Sequence, residues 1–596
     1  MNTPTQPELT RRSILTGMAI GAVLTPCNVY SGLKIGWSFN MSIAAALISL
    51  AFWRLAEDLF DARPWGLLEN NINQTTASSA ASIISGGLVA PIPALALLTG
   101  QQMGYAVLSL WVFAVSALGI VVAVLMRRPM IEGQGLVFPS GVATAETVRE
   151  IYGRSAEAAL RIRTLFGAAG IAALLKLVGD FGVGWTRWSP PLGVPVRGAL
   201  GAGGPAAASF KSLGLSLDPS LLMIGFGAII GTRAGVSLLL GAIVAWLAIG
   251  PWALAQGWAQ PGEAGAVWFG PMVEWLIWPG VTLMAVSSLT GFGLALLGRR
   301  RNPDVSRAAP SSGVVRATLG ERLQVPLRPF LIGGALVVML AVGLQSVLFG
   351  TGWFASGVAV TLSLFLAVVA ARVVGETGIP PIGAIGKVAQ LSFGVVAPGN
   401  VTANLMGANV TGGAAGQCAD LLNDLRAGAM LGATPRYQIL AQCFGVLVGA
   451  LVGSAVYLVL IPDPAAMLLT SEWPAPAVAT WKVVAEVLAD GFSALPPASP
   501  VAMLLAAALG LALPAGEILL PRRAARYLPS GAAMGLAFVI PAWISISLFA
   551  GAMCAAAARA WVPGLAARFA LAVAAGLVAG ESLAGIGTAM VRLLGH

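Results

Sequence analysis

Charged side chains are scarce in this chain, and that scarcity excludes most soluble folds. Lys, Arg, Asp and Glu make up only 10% of the 596 residues, whereas hydrophobic residues make up 57%. A soluble domain carries about 25% charged residues, because it needs them to cover its surface in water. A lipid bilayer removes that need, and the mean hydropathy of +0.85 agrees with a chain that lies mostly in lipid.

Histidine and cysteine are nearly absent, which removes several kinds of catalytic and metal-binding site. The one histidine is His596, the last residue, so no histidine-based metal site, triad or proton relay is available. The four cysteines are scattered without a CxxC pair, so we predict neither a disulfide framework nor a zinc site. HExxH, GxSxG and P-loop motifs are also missing, which argues against ATP-driven transport by this chain alone. We therefore predict no metal, no cofactor and no enzymatic activity.

Long apolar runs are abundant, and they predict transmembrane helices. Leu238 to Leu254 and Ala498 to Gly516 carry no charge, and a helix needs runs near 20 residues to cross a hydrocarbon core of roughly 30 Å. The runs lack the alternation of apolar and polar residues that barrel strands show. We predict an all-α polytopic membrane protein with about 16 transmembrane helices and with broken or re-entrant segments. The segment 136–150 is either one more span or a re-entrant hairpin.

Basic clusters between the apolar runs predict the orientation in the membrane. They include Arg11–Arg12, Arg127–Arg128, Arg299–Arg301 and Arg522–Arg526. The positive-inside rule assigns them to the cytoplasm, so we predict a multi-pass protein of the cell (inner) membrane with a cytoplasmic N-terminus. Basic clusters on the cytoplasmic side also account for the net charge of +10, so the charge does not indicate nucleic-acid binding. The 298–328 loop is predicted to be a cytoplasmic linker between two related transmembrane halves, 1–297 and 329–596.

Polar residues inside the apolar runs mark candidate functional residues, because charges are expensive in lipid and are usually functional when retained. The first cluster surrounds Tyr30 and Lys34, in a segment that proline and glycine can interrupt. Both are predicted to bind substrate, with Lys34 facing a carboxylate. The alternative is a snorkelling lysine beside an interfacial Trp37.

The second cluster fills the first turns of a predicted spanning helix, 69–80, with amide, hydroxyl and small residues. Such side chains can line a wet path and bind peptide-like groups by hydrogen bonds. The alternative is packing through small residues, with Ser and Thr bonded to their own backbone. The density of Asn and Gln favours binding. The predicted substrate contacts are Asn70, Asn73, Gln74 and Thr75.

The third cluster, 132–146, combines a Pro–Gly break with a carboxylate further along. Ser140 is predicted to cap a helix whose free amide groups face an anionic ligand, and so to contact substrate. Glu146 follows within the same helix and is predicted to couple protons to transport. The alternative is a carboxylate at a water-exposed helix end, paired with Arg149 or Arg163.

Two later segments continue the pattern. Gly375–Gly383 is a broken segment that contains Glu376. From Asn409 onward, residues recur at steps of 4, 4, 3 and 4 on one helix face that resembles a cavity wall. That face consists of Asn409, Gly413, Gln417, Asp420 and Asp424. The predicted substrate contacts here are Asn404, Asn409 and Gln417, and the predicted proton-coupling carboxylates are Glu376 and Asp420.

In their order and spacing these motifs resemble the oligopeptide transporter family, which includes the yellow stripe-like transporters. The resemblance rests on Tyr30–Gly36, Glu69–Asn70 with Gln74–Thr75, Gly86–Gly87 with Pro91–Leu95, Phe138–Glu146, Gly375–Gly378 and the stretch 399–416. It implies a bacterial-type member that takes up short peptides, or metal chelated by small amino-acid-derived ligands, together with protons. Ser140 stands where bacterial relatives often carry Glu, so the substrate class stays open.

We therefore predict a secondary active, proton-coupled transporter that imports short oligopeptides or related amino-acid-derived metal chelates. Zwitterionic substrates need both signs of charge, which Lys34, Glu146 and Glu376 can supply. One alternative is a passive channel for small polar solutes. Another is a membrane enzyme acting on lipid-linked substrates, for which Asp420 and Asp424 are too isolated to form a metal motif. The expected partners are the substrate, protons and the lipid bilayer, and the oligomeric state, including a homodimer, stays open.

Overall fold

The computed structural model describes residues 7–36, 40–133, 136–153, 155–183, 187–196, 207–263, 265–298, 326–377, 382–491 and 495–594. Within these residues the chain is almost entirely helical, which confirms the prediction of an all-α fold. The described exception is a small antiparallel hairpin of β1 (Gly193–Pro195) and β2 (Ala207–Ser209), in which Val194 pairs with Ala208.

The described helices follow one another with short connections. In the N-terminal part they are α1 (Arg11–Ile35), α2 (Ser42–Phe60), α3 (Leu67–Ala81), α4 (Pro91–Thr99), α5 (Tyr105–Arg127), α6 (Pro139–Gly153), α7 (Ser155–Val178), α8 (Leu221–Ala242), α9 (Gly250–Ala255) and α10 (Phe269–Gly298). In the C-terminal part they are α11 (Leu327–Phe349), α12 (Gly352–Thr377), α13 (Ile382–Val396), α14 (Val401–Leu431), α15 (Pro435–Leu460), α16 (Pro464–Met467), α17 (Pro476–Asp490), α18 (Ser499–Leu519), α19 (Arg522–Ala525), α20 (Gly531–Ala537), α21 (Ala542–Trp561) and α22 (Pro563–Leu594). A 3-10 segment, Ser82–Gly86, continues α3, and π segments at Arg128–Gly133, Gly179–Val183 and Ile243–Ile249 extend α5, α7 and α8.

Many of these helices have the length and composition of membrane spans. Within the described residues, 12 segments are long and apolar enough to cross a bilayer. They include Leu67–Thr99, which joins α3 to α4, and Leu221–Ala255, which joins α8 to α9. The chain is therefore a multi-pass membrane protein. Helices α2 and α14 are also long but are not among the 12, because they carry charged and amide side chains.

Helix α3 lies in the interior although it is rich in amide and hydroxyl side chains. Every residue from Glu69 to Ala81 is buried. The helix packs between α1 and α15, and glycines on both neighbours make the contacts close. A Cβ added at Gly17 would lie 2.7 Å from Thr76 Cβ, and one added at Gly445 would lie 2.2 Å from the Thr76 carbonyl oxygen. Only glycine therefore lets both neighbouring helices approach α3 this closely.

Helix α14 is the second buried polar helix, and it runs antiparallel to α3 and the 3-10 segment. Asn409, early in α14, bonds to the carbonyl of Gly86, whereas Asp420, later in α14, faces Ser82. Residue numbers thus rise along one element as they fall along the other. Small residues again allow the approach, since a Cβ at Gly413 would lie 2.7 Å from the Ser85 carbonyl oxygen.

The start of α1, the end of α2 and the start of α3 meet in an ionic cluster. Glu69 is fully buried, and its Oε1 accepts hydrogen bonds from Arg12 Nε at 2.9 Å and from Arg63 Nη2 at 3.0 Å. Glu8 accepts from the Thr434 backbone N–H at 2.8 Å, which brings the start of α15 to the same end. Several of the basic residues between the apolar runs therefore gather at one end of the helices.

Helices from the two predicted halves interleave. Helices α3 and α5 pack on α15 and α14, and α7 and α8 pack on α22 and α21. The hydrophobic core accordingly contains residues from both ends of the chain. Most of the predicted 298–328 linker lies outside the described residues, so the division into 1–297 and 329–596 stays a prediction.

We expect Gly445→Ala to destabilise the protein, because its added methyl group would lie 2.2 Å from the Thr76 carbonyl oxygen. Overpacking of a tight core typically costs about 1–3 kcal/mol. The variant should show a lower melting temperature in detergent and a smaller monodisperse peak in size-exclusion chromatography.

Gly343→Ala is the matched control, since a Cβ at Gly343 in α11 meets no atom within 4 Å. Alanine favours a helix over glycine, so this variant should melt at or slightly above the wild-type temperature. Equal melting temperatures for Gly445→Ala and the wild type would contradict the close contact between α3 and α15.

Candidate functional site

The polar faces of α3 and α14 meet in the interior, and we call this contact the polar seam. Its residues are Gln74, Thr75, Ser78, Ser82 and Ser85 from α3 and the 3-10 segment, Asn409, Gln417, Asp420 and Asp424 from α14, and Ser42, Gln438 and Gln442 from α2 and α15. Ser82, Ser85 and Asp420 are half-buried, and the others are buried. The face of α14 that the sequence spacing groups together is therefore the face that meets α3.

Asp424 lies at the end of the seam that is formed by Ser78, Gln74 and the Ser42 hydroxyl. Its Oδ1 is 3.3 Å from the Ser42 hydroxyl, which in turn lies 2.9 Å from the Ser78 hydroxyl. Its Oδ2 has no hydrogen-bond partner among the described residues. No Lys or Arg of the described chain pairs with this carboxyl group. A buried carboxyl group without a cation is suited to carrying a proton or meeting a charged ligand.

Asp420 precedes Asp424 by one helical turn and faces the Ser82 side chain. Two carboxylates four residues apart on one helix face repel each other. A proton or a cationic group on the substrate would relieve this repulsion. The pair therefore concentrates negative charge in the seam, and neither side chain contacts a described cation.

Some of the amide side chains of the seam are connected by hydrogen bonds. Gln438 Nε2 donates to the Asp424 carbonyl at 2.8 Å and lies 3.3 Å from Thr75 Oγ1, and Gln74 Nε2 lies 3.1 Å from the same hydroxyl. Buried atoms of the seam without a partner among the described residues are Gln74 Oε1, Asn409 Oδ1, Gln417 Nε2, Asp424 Oδ2, Gln438 Oε1 and both polar atoms of the Gln442 amide. Buried polar groups are normally paired, so this concentration is typical of a site that a polar ligand or water completes.

Asn409 and Gln417 contact the break between α3 and α4. Asn409 Nδ2 donates to the Gly86 carbonyl at 3.2 Å, and the Ser85 hydroxyl donates to Gln417 Oε1 at 3.2 Å. Gly87 has a φ of +113°, and a Cβ there would lie 2.6 Å from Asn409 Oδ1. Glycine at position 87 is therefore required both by the backbone turn and by the approach of Asn409.

Two predicted substrate contacts near the start of α3 also hold helices together. Asn70 accepts from the Ser49 hydroxyl at 2.5 Å and donates to the Ala46 carbonyl at 3.2 Å, both on α2. Asn73 donates to the Ser13 carbonyl of α1 at 3.3 Å, and its Oδ1 remains unpaired. Both polar ends of the Asn70 amide are thus engaged in contacts between α3 and α2.

Lys34 and Tyr30 belong to a separate aromatic cluster near the end of α1. The Lys34 ammonium group donates to the Glu472 carbonyl and lies 4.5 Å from the Trp473 ring centroid. The Tyr30 and Trp473 rings form an edge-to-face pair with centroids 5.4 Å apart. Lys34 is therefore already engaged by a carbonyl and aromatic rings, and Trp37, its alternative partner, lies outside the described residues.

The helix around Ser140 starts two residues earlier than predicted, because Ser140 as N-cap would have made Gly141 the first helical residue. Helix α6 begins at Pro139, so Ser140 lies in its first turn and not at the N-cap. Proline is favoured at the first helical position, where its missing N–H costs nothing.

Ser140 lines a cavity of about 170 Å³ together with Asn40 and Thr144. With 15 residues, α6 is shorter than the roughly 30 Å hydrocarbon core.

The other two predicted proton-coupling residues lie outside the polar seam. Glu146 is exposed on α6. Glu376 occupies the last turn of α12, and its side chain lies outside the described part of the chain. The two segments do meet, because the Phe138 backbone N–H donates to the Gly375 carbonyl at 2.8 Å.

Asn404 belongs to a cluster with Gln390, Trp481 and Lys387, which the sequence motifs did not indicate. Its Nδ2 donates to the Gln390 carbonyl at 2.7 Å, and Gln390 Nε2 donates to the Trp481 carbonyl at 3.0 Å. Lys387 lies on the same helix as Gln390 and is only 3% exposed. The signal that could have revealed it is a lysine in the middle of the apolar run 382–396.

Sequence comparisons identify the group of proteins to which this architecture belongs. The family model described as "OPT oligopeptide transporter protein" matches residues 8–592. The inferred oligopeptide transporter YGL114W of Saccharomyces cerevisiae is 25% identical over 574 aligned positions, which cover 77% of this chain and 78% of that protein. The inferred metal-nicotianamine transporter YSL17 of Oryza sativa subsp. japonica is 25% identical over 639 aligned positions, which cover 98% of this chain and 90% of that protein.

A bacterial protein shows a shorter similarity. An inferred oligopeptide transporter of Haemophilus influenzae is 30% identical over 220 aligned positions, which cover 37% of this chain and 31% of that protein. Members of the matched family are transporters and not enzymes, which sets aside an enzyme acting on lipid-linked substrates. Because the family model spans nearly the whole sequence, the chain belongs to the OPT oligopeptide transporter family.

Proposed function

We propose that this protein is a secondary active transporter that imports short oligopeptides or amino-acid-derived metal chelates and uses protons as the coupling ion. The polar seam is the observation that carries this proposal. It places unpaired amide groups and two carboxyl groups between buried helices from distant parts of the chain. Similarity to inferred oligopeptide and metal-nicotianamine transporters supports the two substrate classes.

The seam has the chemistry that either substrate class needs. Peptides and nicotianamine-type chelates present carboxylates and N–H groups close together. The Gln442 amide offers an unpaired donor and an unpaired acceptor, and Gln74 and Gln438 each offer an unpaired oxygen. Asp420 and Asp424 would attract the amino groups or the metal of such substrates.

Asp420 is the best-supported proton carrier of the three carboxyl groups predicted for that role. It is half-buried, so a proton can reach it, and it belongs to the seam where substrate would bind. Protonation removes a charge beside Asp424 and so changes the relative stability of inward- and outward-open states. Glu146 is exposed, and it and Glu376 remain candidates from the sequence alone.

We further propose about 16 spans and a cytoplasmic N-terminus in the cell (inner) membrane. Helices α2 and α14 have 19 and 31 residues, so both are long enough to cross despite their polar content. Arg12 and Arg63 lie at the same end as Thr434, and a gathering of basic residues at one end favours the cytoplasmic side.

We expect the purified protein in proteoliposomes to accumulate substrate above the external concentration when the outside is acidic. Substrate is first selected by a thermal-shift screen with dipeptides, tripeptides, and ferric and nickel chelates of nicotianamine. A ligand at 100 times its Kd should stabilise the folded state by about 2.7 kcal/mol. Accumulation of the selected compound should disappear with a protonophore.

A passive channel would only equilibrate the selected compound, whatever the pH gradient. Uptake that stops at the external concentration would therefore contradict a carrier and favour a channel. Accumulation that persists with a protonophore but needs another ion would contradict protons as the coupling ion.

We expect Asp420→Asn to reduce gradient-driven accumulation about 10-fold or more, because the amide cannot exchange a proton. The substitution preserves shape, so the variant should keep its melting temperature and should still bind substrate, more weakly than the wild type, through Asp424 and the amides of the seam. Accumulation and binding are measured on the same preparations, with Glu146→Gln in parallel. Loss of accumulation in Glu146→Gln with normal accumulation in Asp420→Asn would return the coupling role to Glu146.

A further inference from the structure

Lys387 is a buried cation without an anionic partner in the part of the chain that the structure describes. It lies in α13 and is 3% exposed. Its ammonium nitrogen lies 4.7 Å from the centroid of the Trp481 ring, and among the described residues it makes no hydrogen bond or ion pair. An isolated charge inside a membrane protein is unfavourable, and such residues commonly mark substrate paths. Lys34 differs, because the Glu472 carbonyl accepts a hydrogen bond from its ammonium group.

The aromatic ring beside Lys387 is held in place. A Cβ at Gly386 would lie 2.5 Å from Trp481 Cζ2, and a Cβ at Gly412 would lie 3.8 Å from Trp481 Cη2. The Trp481 carbonyl also accepts a hydrogen bond from Gln390 Nε2 at 3.0 Å. The ring therefore forms a rigid platform for the ammonium group between α13, α14 and α17.

Gln390 adds an unsatisfied acceptor to the same cluster. It is fully buried, and its Oε1 has no hydrogen-bond partner among the described residues. Its Nε2 is occupied by Trp481 and by Asn404 Oδ1 at 3.2 Å, which orients the amide. Lys387 and Gln390 are three residues apart and so lie on one face of α13. The cluster thus presents a positive charge and, one turn away, a free hydrogen-bond acceptor.

We propose that Lys387, Gln390 and Trp481 form an anchor for a substrate carboxylate. The ammonium group binds the carboxylate, and Gln390 Oε1 accepts from an N–H next to it, such as the last amide of a peptide or the amine of an amino-acid-derived chelator. This anchor rests on the proposed function and assigns it a carboxylate-binding subsite. It packs on α14 beside Gly412, which lies between Asn409 and Gln417 of the polar seam in the sequence. One helix thereby separates the positive subsite from the carboxyl groups of the seam.

Stability separates a binding lysine from a structural one. Lys387→Met keeps the length of the side chain and removes its charge. Because removal of an unpaired buried charge relieves an unfavourable burial, the ligand-free variant should melt at or above the wild-type temperature. A melting temperature clearly below that of the wild type would assign Lys387 a packing role and overturn the proposal. Lys211→Met, at an exposed position, is the control for lysine removal and should match the wild type.

Ligand dependence tests the anchor itself. Tri-alanine, its C-terminal amide and the ferric chelate of nicotianamine are titrated in a thermal-shift assay and compared in proteoliposome uptake. Wild-type protein and Lys211→Met should respond to tri-alanine or to the chelate. Where tri-alanine binds, its amide should need at least about a 10-fold higher concentration for the same effect. Lys387→Met should lower the affinity for the probe that binds about 10-fold and abolish the preference for tri-alanine over its amide. Lys387→Arg should retain most of the affinity and most of the preference.

The outcomes distinguish the anchor from the proposed function on which it rests. If the wild type neither binds nor transports any of these probes, the proposed function fails and the anchor fails with it. If the wild type responds and Lys387→Met responds equally, only the anchor is overturned. Equal responses of the wild type to tri-alanine and its amide would also overturn the anchor, because the carboxylate would then contribute nothing.

Discussion

Close backbone contact around α3 is the constraint on which the rest of the structure depends. In lipid there is no hydrophobic force between helices, so association relies on close packing and polar contacts. Gly17 and Gly21 of α1 and Gly445 and Gly449 of α15 let these helices approach α3, where a Cβ would collide with it at each position. This packing keeps the amide side chains of α3 out of lipid. The polar face of α3 that these helices leave uncovered meets α14, whose polar residues also lie on one helix face. The polar seam is this contact.

Buried charges in this protein fall into two groups. Glu69 is fully buried, but Arg12 and Arg63 neutralise its charge, and these ion pairs connect the ends of the helices. Asp424 of α14 and Lys387 of α13 are buried without a charged partner in the described part of the chain, and the Trp481 ring beside Lys387 packs near Gly412 of α14. A paired charge contributes to the fold, whereas an unpaired one costs free energy that a ligand can recover. If the proposed function holds, Asp424 of α14 and Lys387 of the neighbouring α13 would offer charges of both signs to a zwitterionic substrate.

Much of the candidate site was visible in the sequence because helical periodicity is local. The steps from Asn409 to Asp424 predicted one face of α14, and that face meets α3. Local periodicity does not predict the partners of other candidate residues. Both polar ends of the Asn70 amide bond to α2, and Glu146 is exposed on α6, so the roles of both residues stay predictions. Neither outcome depends on the neighbours in sequence, because both depend on which helix packs alongside.

By itself the sequence determined that the chain is a helical membrane protein, which segments cannot rest in lipid, and which family it resembles. Composition and periodicity are sufficient for these conclusions, since each depends on one residue or one helix at a time. Only the tertiary structure decided which polar groups already have partners. Lys34 is engaged by Glu472 and Trp473, whereas Lys387 contacts only an aromatic ring among the described residues. Two lysines in apolar runs look alike in sequence, and their difference arises from packing between helices far apart in the chain.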